Sequence, residues 1–400
     1  MTEQVLVAQI GARRHYAVPR ALHEAGRLAA LHTDLCGVGT VGRIARLVPG
    51  LRRLADRRPE GVPDSLVRLH PVTAVTSRLR RPKGGEAAKY AFWAAQNAAF
   101  ARSVCRSDWG DAGAVYVFNG AGLEVAEEAK RRGLRVYVDQ TMAPWRWVER
   151  RLAEERTKWS ISAESTDPAP LADREKAEWG LADAIVCGSR FVADAVAETA
   201  GRDDLPCVVV PFGHATPAGE WPAKALGDRS KRVLFVGTLG LRKGGPYLAE
   251  AARLLGGAAE VRAVGPVEGE PPAGVACVGP VPRSALDGHY RWADVLVLPS
   301  LAEGSANVCY EALGRGVPVI CTHESGSVVQ DGVQGRIVPS RDAGAIAEAV
   351  RGIDGPALAA WSGSAKLRAA GFTPGDYSVR LVSALQPDRG GADAGTVGNA

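Results

Sequence analysis

The feature that most constrains the fold is an alternation of short β-branched runs with amphipathic helical runs, which occurs in both halves of the chain. Parallel strands need a long crossover between them, so this alternation is typical of parallel sheets covered by helices. The predicted strands of the first half are residues 4–10, 114–118, 135–139, 183–189 and 207–212. Those of the second half are residues 232–238, 260–266, 275–280, 294–300 and 318–323. The pattern predicts an α/β chain with two helix-covered sheets.

The length of 400 residues indicates two domains, because single cores rarely grow beyond about 250–300 residues. Residues 213–231 are rich in glycine, proline and alanine, and they predict an interdomain linker that is extended rather than packed. We therefore assign residues 1–212 to an N-terminal domain and residues 213–370 to a C-terminal domain. Residues 387–400 lack apolar periodicity, which predicts a disordered tail.

Charge and hydropathy exclude several classes of protein. The net charge of +5 is too small to argue for nucleic-acid binding. No run of about 18 apolar residues occurs, so no transmembrane helix is predicted. The first apolar run precedes its arginines, which is the reverse of a signal peptide, and this order predicts a cytoplasmic protein.

The cysteine and histidine spacings argue against a metal site. The seven cysteines include no C-x-x-C motif, and the seven histidines include no H-x-x-x-H pair. No D-x-D pair stands at a predicted strand end. We expect buried, reduced thiols, no metal and no cofactor.

A basic segment, residues 43–83, departs from this background with eleven Arg or Lys residues against three acidic ones. Its five prolines argue against one long amphipathic helix. One interpretation is a solvated, loop-rich insertion. The other is a patch for an anionic acceptor or for an anionic membrane surface, which would make the protein peripheral at the inner membrane face. Both interpretations stay open.

The loop after the predicted strand 294–300 carries the clearest chemical signal. It presents Glu303, continues through small residues, and leads into a helix predicted to begin near Asn307. Small residues let the backbone approach a ligand, and the free N–H groups of the helix start favour a diphosphate. Glu311 lies about one turn into the helix, where an acceptor-only carboxylate suits the hydroxyls of a ribose. Glu303 suits the hydroxyls of a sugar in the same way.

The first turn of the second half brings a cation to the same edge of the sheet. After the strand at 232–238, the sequence LGLRKGG forms a glycine-rich loop before a helix. Lys243 in this loop would neutralise a leaving diphosphate without a metal. Because Arg242 is its direct neighbour, we expect only one of these two side chains to face the cleft.

Four motifs, in order, carry a resemblance to a known family. They are the turn Gly237-Thr238-Leu239…Lys243-Gly244, the segment CVGPVPRSAL, the strand ADVLVLPS and the pair Glu303…Glu311. In this combination the second half closely resembles retaining glycosyltransferases of family 4 (glycosyl transferases group 1), which have the GT-B fold. The resemblance covers roughly residues 232–340 well and the first half more weakly. It implies two Rossmann-like domains facing each other across a cleft, with a terminal helix at 371–386 that crosses back to the first domain.

The resemblance also implies a UDP- or GDP-sugar as the substrate of the second domain. Glu311 would hold the ribose, Glu303 the sugar, and Lys243 the diphosphate, with the base against residues 277–283. The donor-binding residues that it implies are Gly237, Thr238, Arg242, Lys243, Val281, Arg283, Glu303, Gly304, Ser305, Ala306, Asn307, Val308 and Glu311. One departure is Thr238, where the family usually carries an arginine as a second cation on the diphosphate.

The first domain is expected to supply the acceptor side of the cleft, because polar residues follow its predicted strand ends. The acceptor-side candidates are His15, Tyr16, Asn119, Gln140 and His214. Asp139 is the candidate for orienting the acceptor hydroxyl or accepting its proton. For each residue taken singly, a structural or solvent-exposed role stays open.

For the reaction, the resemblance implies front-face transfer with retention, in which the leaving diphosphate helps to remove the proton of the acceptor. The residues expected to act on the reaction are Lys243, Glu303 and Asp139. Two other functions stay open. One is an epimerase or phosphorylase on the same fold, and the other is a non-catalytic sugar-nucleotide-binding partner of another enzyme. The expected ligands are a nucleotide sugar and an acceptor of unknown identity.

Overall fold

The computed structural model describes residues 2–39, 42, 56–71, 82, 84–162, 167–215 and 217–386. The predicted tail at 387–400 lies outside the described residues, as do parts 43–55, 72–81 and 83 of the basic segment. The patch for an anionic acceptor or membrane surface therefore stays a prediction.

The first domain is built on one parallel sheet. Its strands are Val5–Gln9 (β1), Leu28–Thr33 (β2), Val67–Leu69 (β3), Ala114–Phe118 (β4), Arg135–Gln140 (β5), Ala184–Cys187 (β6) and Cys207–Val209 (β7). They pair in the order β3-β2-β1-β4-β5-β6-β7, and every pair is parallel. Every residue of β1 and β4 is buried. Strands covered on both faces must bury all their side chains, which explains why these two runs are almost wholly apolar.

Helices cover both faces of this sheet. They are Ala17–Glu24 (α1), Glu86–Cys105 (α2), Leu123–Arg131 (α3), Trp145–Lys158 (α4), Ala169–Leu181 (α5) and Arg190–Ala200 (α6). Alternate residues of β1 enter different cores. Val5 and Val7 pack in the cluster that contains residues of α1, whereas Leu6 packs in the cluster that contains residues of α2 and α3. The two-residue side-chain period of a strand thus places one core on each face of the sheet.

The second domain repeats the plan with a second parallel sheet. Its strands are Lys231–Val236 (β8), Ala259–Val264 (β9), Val275–Gly279 (β10), Val295–Leu298 (β11), Val319–Thr322 (β12) and Gly335–Val338 (β13), in the order β10-β9-β8-β11-β12-β13. Its helices are Gly245–Leu255 (α7), Leu286–Trp292 (α8), Asn307–Gly314 (α9), Ala343–Arg351 (α10) and Gly355–Ala370 (α11). The predicted fold class, two Rossmann-like α/β domains, is confirmed.

All ten predicted strands are present, but β2, β3 and β13 have no predicted counterpart. β3 and β13 are three and four residues long, too short for a periodic signal. The sequence of β2, LAALHT, is rich in alanine and leucine, which favour helices. Its extended form follows from pairing on both sides, with β1 and with β3, so tertiary contacts override local propensity.

Most described residues of the linker at 213–231 are exposed, as expected of an extended segment, but one side chain anchors it to the second domain. Up to Ser230 its described residues form neither helix nor strand, yet Trp221 is buried in the core of the second domain. The backbone N–H of Lys224 donates to Ser362 Oγ, and its ammonium donates to two backbone carbonyls. Burial lowers the pKa of Lys224 to about 8. The large apolar area of its side chain explains why Trp221 is buried while most of the segment around it stays exposed.

The last helix, Pro374–Ala384 (α12), lies against the first domain. It packs on α1, and its Tyr377 and Leu381 belong to the same buried cluster as Val5 and Val7. The guanidinium of Arg27 donates to the carbonyl of residue 382 within this helix and to that of residue 385 just after it. The chain therefore returns to the first domain after completing the second.

A second bridge between the domains runs from α4 to the second domain through Glu155, which is only 1% exposed. The hydroxyl of Tyr247, on α7, donates to Glu155 Oε2 at 2.5 Å. The other carboxylate oxygen lies 2.6 Å from Nε of Arg341, which precedes α10. These contacts hold α4 on the second domain.

Candidate active site

The loop between β11 and α9 places Glu303 opposite two cations. Its carboxylate is 14% exposed, and Oε1 lies 2.9 Å from Nη1 of Arg242 and 2.7 Å from Nζ of Lys243. Both contacts are ion pairs, and this buried oxygen accepts no hydrogen bond of ordinary geometry. The expectation that only one of the two adjacent cations faces the cleft is wrong, since both reach the same carboxylate. Arg242 also donates to the carbonyl of Ala302 at 2.8 Å, which fixes its direction.

The turn that carries these cations depends on two glycines. Gly237 has φ +133°, and a Cβ there would lie 3.1 Å from Cε of Lys243. Gly244 has φ +72°, and a Cβ there would lie 2.0 Å from the carbonyl oxygen of Pro299. The missing side chains let the lysine stem fold back over the turn and let the turn touch the β11 loop. Thr238 follows Gly237 in the same turn and is half-buried.

Glu311 lies in the second turn of α9 with its carboxylate 13% exposed. The buried hydroxyl of Tyr290 donates to Glu311 Oε2 at 2.9 Å. Nη2 of the exposed Arg283 lies 3.7 Å from Oε1, so these two predicted donor residues are brought together. His214 is also in this neighbourhood. Burial lowers its pKa, and the charge of Glu311 opposes that shift.

The start of α9 matches the predicted donor loop in part. The helix begins at Asn307 as predicted, and no side chain caps its first N–H groups. The N–H of Ala306 donates to the carbonyl of Ser325 at 3.1 Å, so it is not free for a ligand as the resemblance implied. Ser305 is tied to the hydroxyl of Tyr310 at 2.7 Å. Val308 and Val281 are partly buried and pack against the second core.

Gly304 brings the loop between β11 and α9 into contact with the first domain. Ser189 Oγ donates to the carbonyl of Gly304 at 2.5 Å. A Cβ on Gly304 would lie 1.9 Å from the carbonyl oxygen of Thr141, in the loop after β5. Only a residue without a side chain allows this approach. The loop that carries Glu303 is therefore positioned by both domains.

The predicted acceptor-side residues Asn119 and Gln140 are fixed by a buried carboxylate that sequence reasoning missed. Glu175, on α5, accepts from Asn119 Nδ2 at 2.8 Å, from Gln140 Nε2 at 2.7 Å and from the N–H of Trp145 at 3.0 Å. One turn along the helix, Glu178 accepts from the N–H groups of residues 120 and 122. Burial raises the pKa of Glu175 to about 7 and that of Glu178 to about 8. The i,i+3 spacing of two acids in EKAEWGLA was the available signal.

Asp139 is fully buried and both of its oxygens are occupied. Oδ1 accepts from Arg14 at 2.8 Å, and Oδ2 accepts from the hydroxyl of Tyr116 at 2.6 Å. Burial raises its pKa, while Arg14 and Tyr116 lower it. Arg14 in turn donates to the hydroxyl of Tyr377 on α12 and lies 3.8 Å from the ring centre of Phe212. The carboxylate thus fastens the turn after β1, and its predicted role in proton transfer stays a prediction.

The turn after β1 separates the other first-domain candidates. Arg14, His15 and Tyr16 all have φ between 50° and 59°, a left-handed run that costs roughly 1–3 kcal/mol for each residue. This run exposes His15 and turns Tyr16 into the core, where it is 1% exposed. Tyr16 was expected on the acceptor side of the cleft because it stands beside His15. That expectation is wrong, because Tyr16 is a core residue. His214 lines a separate cavity of about 250 Å³ beside the linker.

A cavity of about 420 Å³ lies between the domains at Glu303. Its lining is mainly aromatic and aliphatic on the side of the first domain and polar on the side of the second. The lining residues are Tyr90, Thr141, Met142, Trp145, Val148, Glu149, Leu152, Phe212, Arg242, Glu303, Gly304 and Ser305. A ligand in this cavity would touch the loop after β5 and the cation turn at the same time.

Within the described part of the chain, no group of three or more His, Cys, Asp or Glu residues is arranged to hold a metal ion. The same described residues contain no helix with the length and apolarity needed to cross a membrane. The expected cytoplasmic location and peripheral membrane contact stay predictions.

Part of the chain matches a known family and curated relatives in sequence. Residues 230–353 match the sequence model of the family described as "Glycosyl transferases group 1". A D-inositol 3-phosphate glycosyltransferase of Geodermatophilus obscurus is 31% identical over 204 residues, which is 43% of this chain and 45% of that protein. D-inositol 3-phosphate glycosyltransferase 1 of Catenulispora acidiphila is 37% identical over 119 residues, 28% of each chain. The chain therefore spans less than half the length of these curated relatives.

Solved structures resemble the whole chain. HepE of Anabaena, in complex with UDP, has a TM-score of 0.59 at 14% identity and covers 96% of this chain and 99% of its own. Sucrose-phosphate synthase of Thermosynechococcus elongatus has a TM-score of 0.60 at 16% identity, with coverage of 96% and 98%. At such low identity the likeness shows the fold, which is GT-B.

Proposed function

We propose that this chain is a glycosyltransferase of the retaining family 4, which moves a sugar from a nucleoside diphosphate sugar to an acceptor hydroxyl. The observation that carries the proposal is the convergence of Arg242 and Lys243 on Glu303 at the start of α9. Two cations and uncapped helix N–H groups form an anion site at the edge of a parallel sheet. A carboxylate beside them suits a ligand that is anionic at one point and rich in hydroxyls next to it.

The donor would lie along the second domain, with its diphosphate at the cation turn. In that state Arg242 and Lys243 would face phosphate oxygens, and Glu303 would be free to accept from sugar hydroxyls. Glu311, oriented by the hydroxyl of Tyr290, would accept from the ribose. The HepE structure with UDP-glucose, which this chain resembles in fold, supports a uridine nucleotide as the first donor to test.

The chemistry would be front-face substitution with retention. The acceptor hydroxyl attacks the anomeric carbon on the side from which the diphosphate leaves, the carbon–oxygen bond to the diphosphate breaks, and a diphosphate oxygen takes the hydroxyl proton. The charge that develops on the leaving group is neutralised by Arg242 and Lys243 without a metal. Both oxygens of the buried Asp139 already accept a hydrogen bond, from Arg14 and from Tyr116, so we assign it a positioning role for Arg14, and its role in proton transfer stays a prediction.

Donor binding tests the first half of the proposal. Calorimetry with UDP, GDP and their glucose or mannose conjugates should show micromolar to millimolar binding of one nucleotide series. Glu311→Ala should weaken that binding about 10- to 100-fold, since a hydrogen bond to a charged group contributes about 1.5–3 kcal/mol. Arg336→Ala, which removes an exposed ion pair with Asp331, is the matched control. Equal affinity of the Glu311→Ala variant and the unsubstituted chain would remove Glu311 from the donor site.

Product analysis tests the second half and separates the other functions. Incubation with donor and acceptor should give a glycoside whose anomeric configuration matches that of the donor. An epimerised sugar nucleotide formed from the donor alone would indicate an epimerase. A sugar 1-phosphate formed with inorganic phosphate would indicate a phosphorylase. Donor binding without hydrolysis or transfer, over a broad set of acceptors, would indicate a non-catalytic binding protein.

A further inference from the structure

We propose that the acceptor is a neutral molecule whose aromatic or fused-ring face lies beside its reactive hydroxyl, and that the site selects against an anionic acceptor. This inference rests on the proposed glycosyl transfer and concerns the first-domain wall of the 420 Å³ cavity. Three independent observations support it: the rings of that wall, the pairing of its charges and the rigidity of its support.

The wall presents a row of aromatic rings that runs from the cavity to the surface. The rings of Trp145 and Tyr90 both line the cavity and pack edge to face, with centres 5.4 Å apart. The ring of Trp93 continues the row at 5.9 Å from Tyr90 and is 42% exposed. Val148 and Leu152, one and two turns along α4, complete the apolar wall. Such a wall is complementary to a flat apolar ring, which buries its area against aromatic faces.

Each charge in the described lining already has a partner. Arg242 is held by Glu303 and by the carbonyl of Ala302. Glu149 forms an ion pair with Arg156, which lies two turns further along α4 and outside the lining. An acceptor phosphate or carboxylate would therefore meet two glutamates, and it would have to draw Arg242 away from the donor side. Burying an unpaired anion there carries a large desolvation cost.

Apart from Glu149 on α4, the charged groups and aliphatic hydroxyl groups of the cavity lie toward the loop between β11 and α9. Glu303 and Ser305 belong to the donor loop, and Thr141 touches that loop through its carbonyl oxygen. The hydroxyl of Thr141 donates to Asn119, so its oxygen can still accept a proton from a ligand hydroxyl. A hydroxyl is thus accommodated where transfer would occur, and the apolar body extends toward Trp145. The cavity matches an amphipathic acceptor in this one orientation.

Contacts within the protein order the residues of this wall without a ligand. The N–H of Trp145 donates to the buried Glu175, which also holds Asn119 and Gln140. Tyr90 packs with Leu171 in a small buried cluster that Trp145 contacts. Because these rings are ordered already, a stacked acceptor loses little additional conformational entropy on binding.

The experiment compares three acceptor probes with the best donor from calorimetry: 4-methylumbelliferone, myo-inositol and inositol 3-phosphate. We expect kcat/KM for the ring probe to exceed those for both polyols by at least about tenfold. Binding of each probe in the presence of UDP, or of GDP if that nucleotide binds, is measured by calorimetry as a second readout. A higher kcat/KM or affinity for inositol 3-phosphate overturns the proposal, and so does the absence of measurable binding by the ring probe.

Variants assign the effect to the wall. Trp145→Ala should raise KM for the ring probe about tenfold while the Kd of the nucleoside diphosphate stays unchanged, and Trp145→Phe should restore most of the loss. Trp361→Ala removes a partly buried tryptophan of the second domain and is the matched control. An unchanged KM in Trp145→Ala overturns the proposal. Absence of nucleotide binding by the unsubstituted protein would contradict the glycosyltransferase proposal itself. Failure of the ring probe with nucleotide binding intact would contradict only the acceptor proposal.

Discussion

Arg242 offers a direct test of how the leaving diphosphate is neutralised. Its Nη1 donates to the carbonyl of Ala302 at 2.8 Å and lies 2.9 Å from Glu303 Oε1, with 37% of the side chain exposed. Arg242→Ala removes one of the two cations that meet at Glu303 and leaves Lys243 in contact at 2.7 Å. The substitution therefore separates the contribution of the second cation from that of the first.

The structure allows the size of the effect to be worked out. Loss of a partly exposed ion pair costs the fold about 0–1 kcal/mol, and loss of the bond to the carbonyl costs about 1 kcal/mol. Removal of one group that stabilises a developing oxyanion costs catalysis about 2.7–4 kcal/mol. We therefore expect kcat to fall about 10²- to 10³-fold while Tm changes by only a few degrees.

The assay is release of the nucleoside diphosphate at saturating donor and acceptor, followed for the unsubstituted chain and for Arg242→Ala. Arg336→Ala removes another exposed arginine from an ion pair in the same domain and serves as the control. Adding Thr238→Arg to Arg242→Ala returns a cation to the turn and should recover at least about tenfold in kcat.

Two outcomes would refute this reasoning. Turnover by Arg242→Ala equal to that of the unsubstituted chain would show that Lys243 and the helix N–H groups are sufficient. An equal loss in Arg336→Ala would show that the effect is a general response to lost positive charge.

Three further predictions concern single groups. Tyr290→Phe removes the hydrogen bond to Glu311, so the Kd of the nucleotide sugar should rise about tenfold while Tm falls by only a few degrees. An unchanged Kd would show that Glu311 needs no such support. The pKa of Glu178 is raised to about 8, so the folded chain binds a proton that the unfolded chain has lost. The contribution of Glu178 to the free energy of unfolding therefore falls as pH rises from about 4.5 to about 8. In urea titrations over this pH range, the free energy of unfolding of Glu178→Gln should fall less than that of the unsubstituted chain. Burial and the neighbouring His70 lower the pKa of His32 to about 3. The free energy of unfolding should therefore decrease as pH falls below about 6.5, and it should decrease less in His32→Gln. An equal decrease in the two proteins would contradict this.

The arrangement of the proposed donor residues was predictable because they are close in sequence. Glu303, the start of α9 and Glu311 lie on one strand–loop–helix unit, so their relative positions follow from local geometry. Lys243 lies at the carboxyl end of the neighbouring strand, and parallel strands bring such ends to one edge. The convergence of Arg242 and Lys243 on one oxygen depends on side-chain directions, which spacing alone does not fix.

The acceptor half was predictable only in outline. Asn119 and Gln140 were placed at strand ends correctly, but the residue that fixes them, Glu175, comes from a helix further along the chain. Tyr16 was misjudged because three left-handed residues redirect its side chain into the core. The contact between the rings of Tyr90 and Trp145 joins residues 55 positions apart, and no periodicity in either segment indicates it.

The contact at Gly304 bears on how the two domains would share the recognition of a nucleotide sugar. The carboxylate proposed to hold the nucleotide, Glu311, is oriented within the second domain by Tyr290. The carboxylate proposed to hold the sugar, Glu303, stands beside a glycine whose carbonyl is held by Ser189 and whose Cα faces the carbonyl of Thr141, both from the other domain. Under that proposal, recognition of the nucleotide would belong to one domain, whereas recognition of the sugar would depend on the contact between the two domains. A donor with the wrong sugar would then keep its affinity for the nucleotide and fail at that contact.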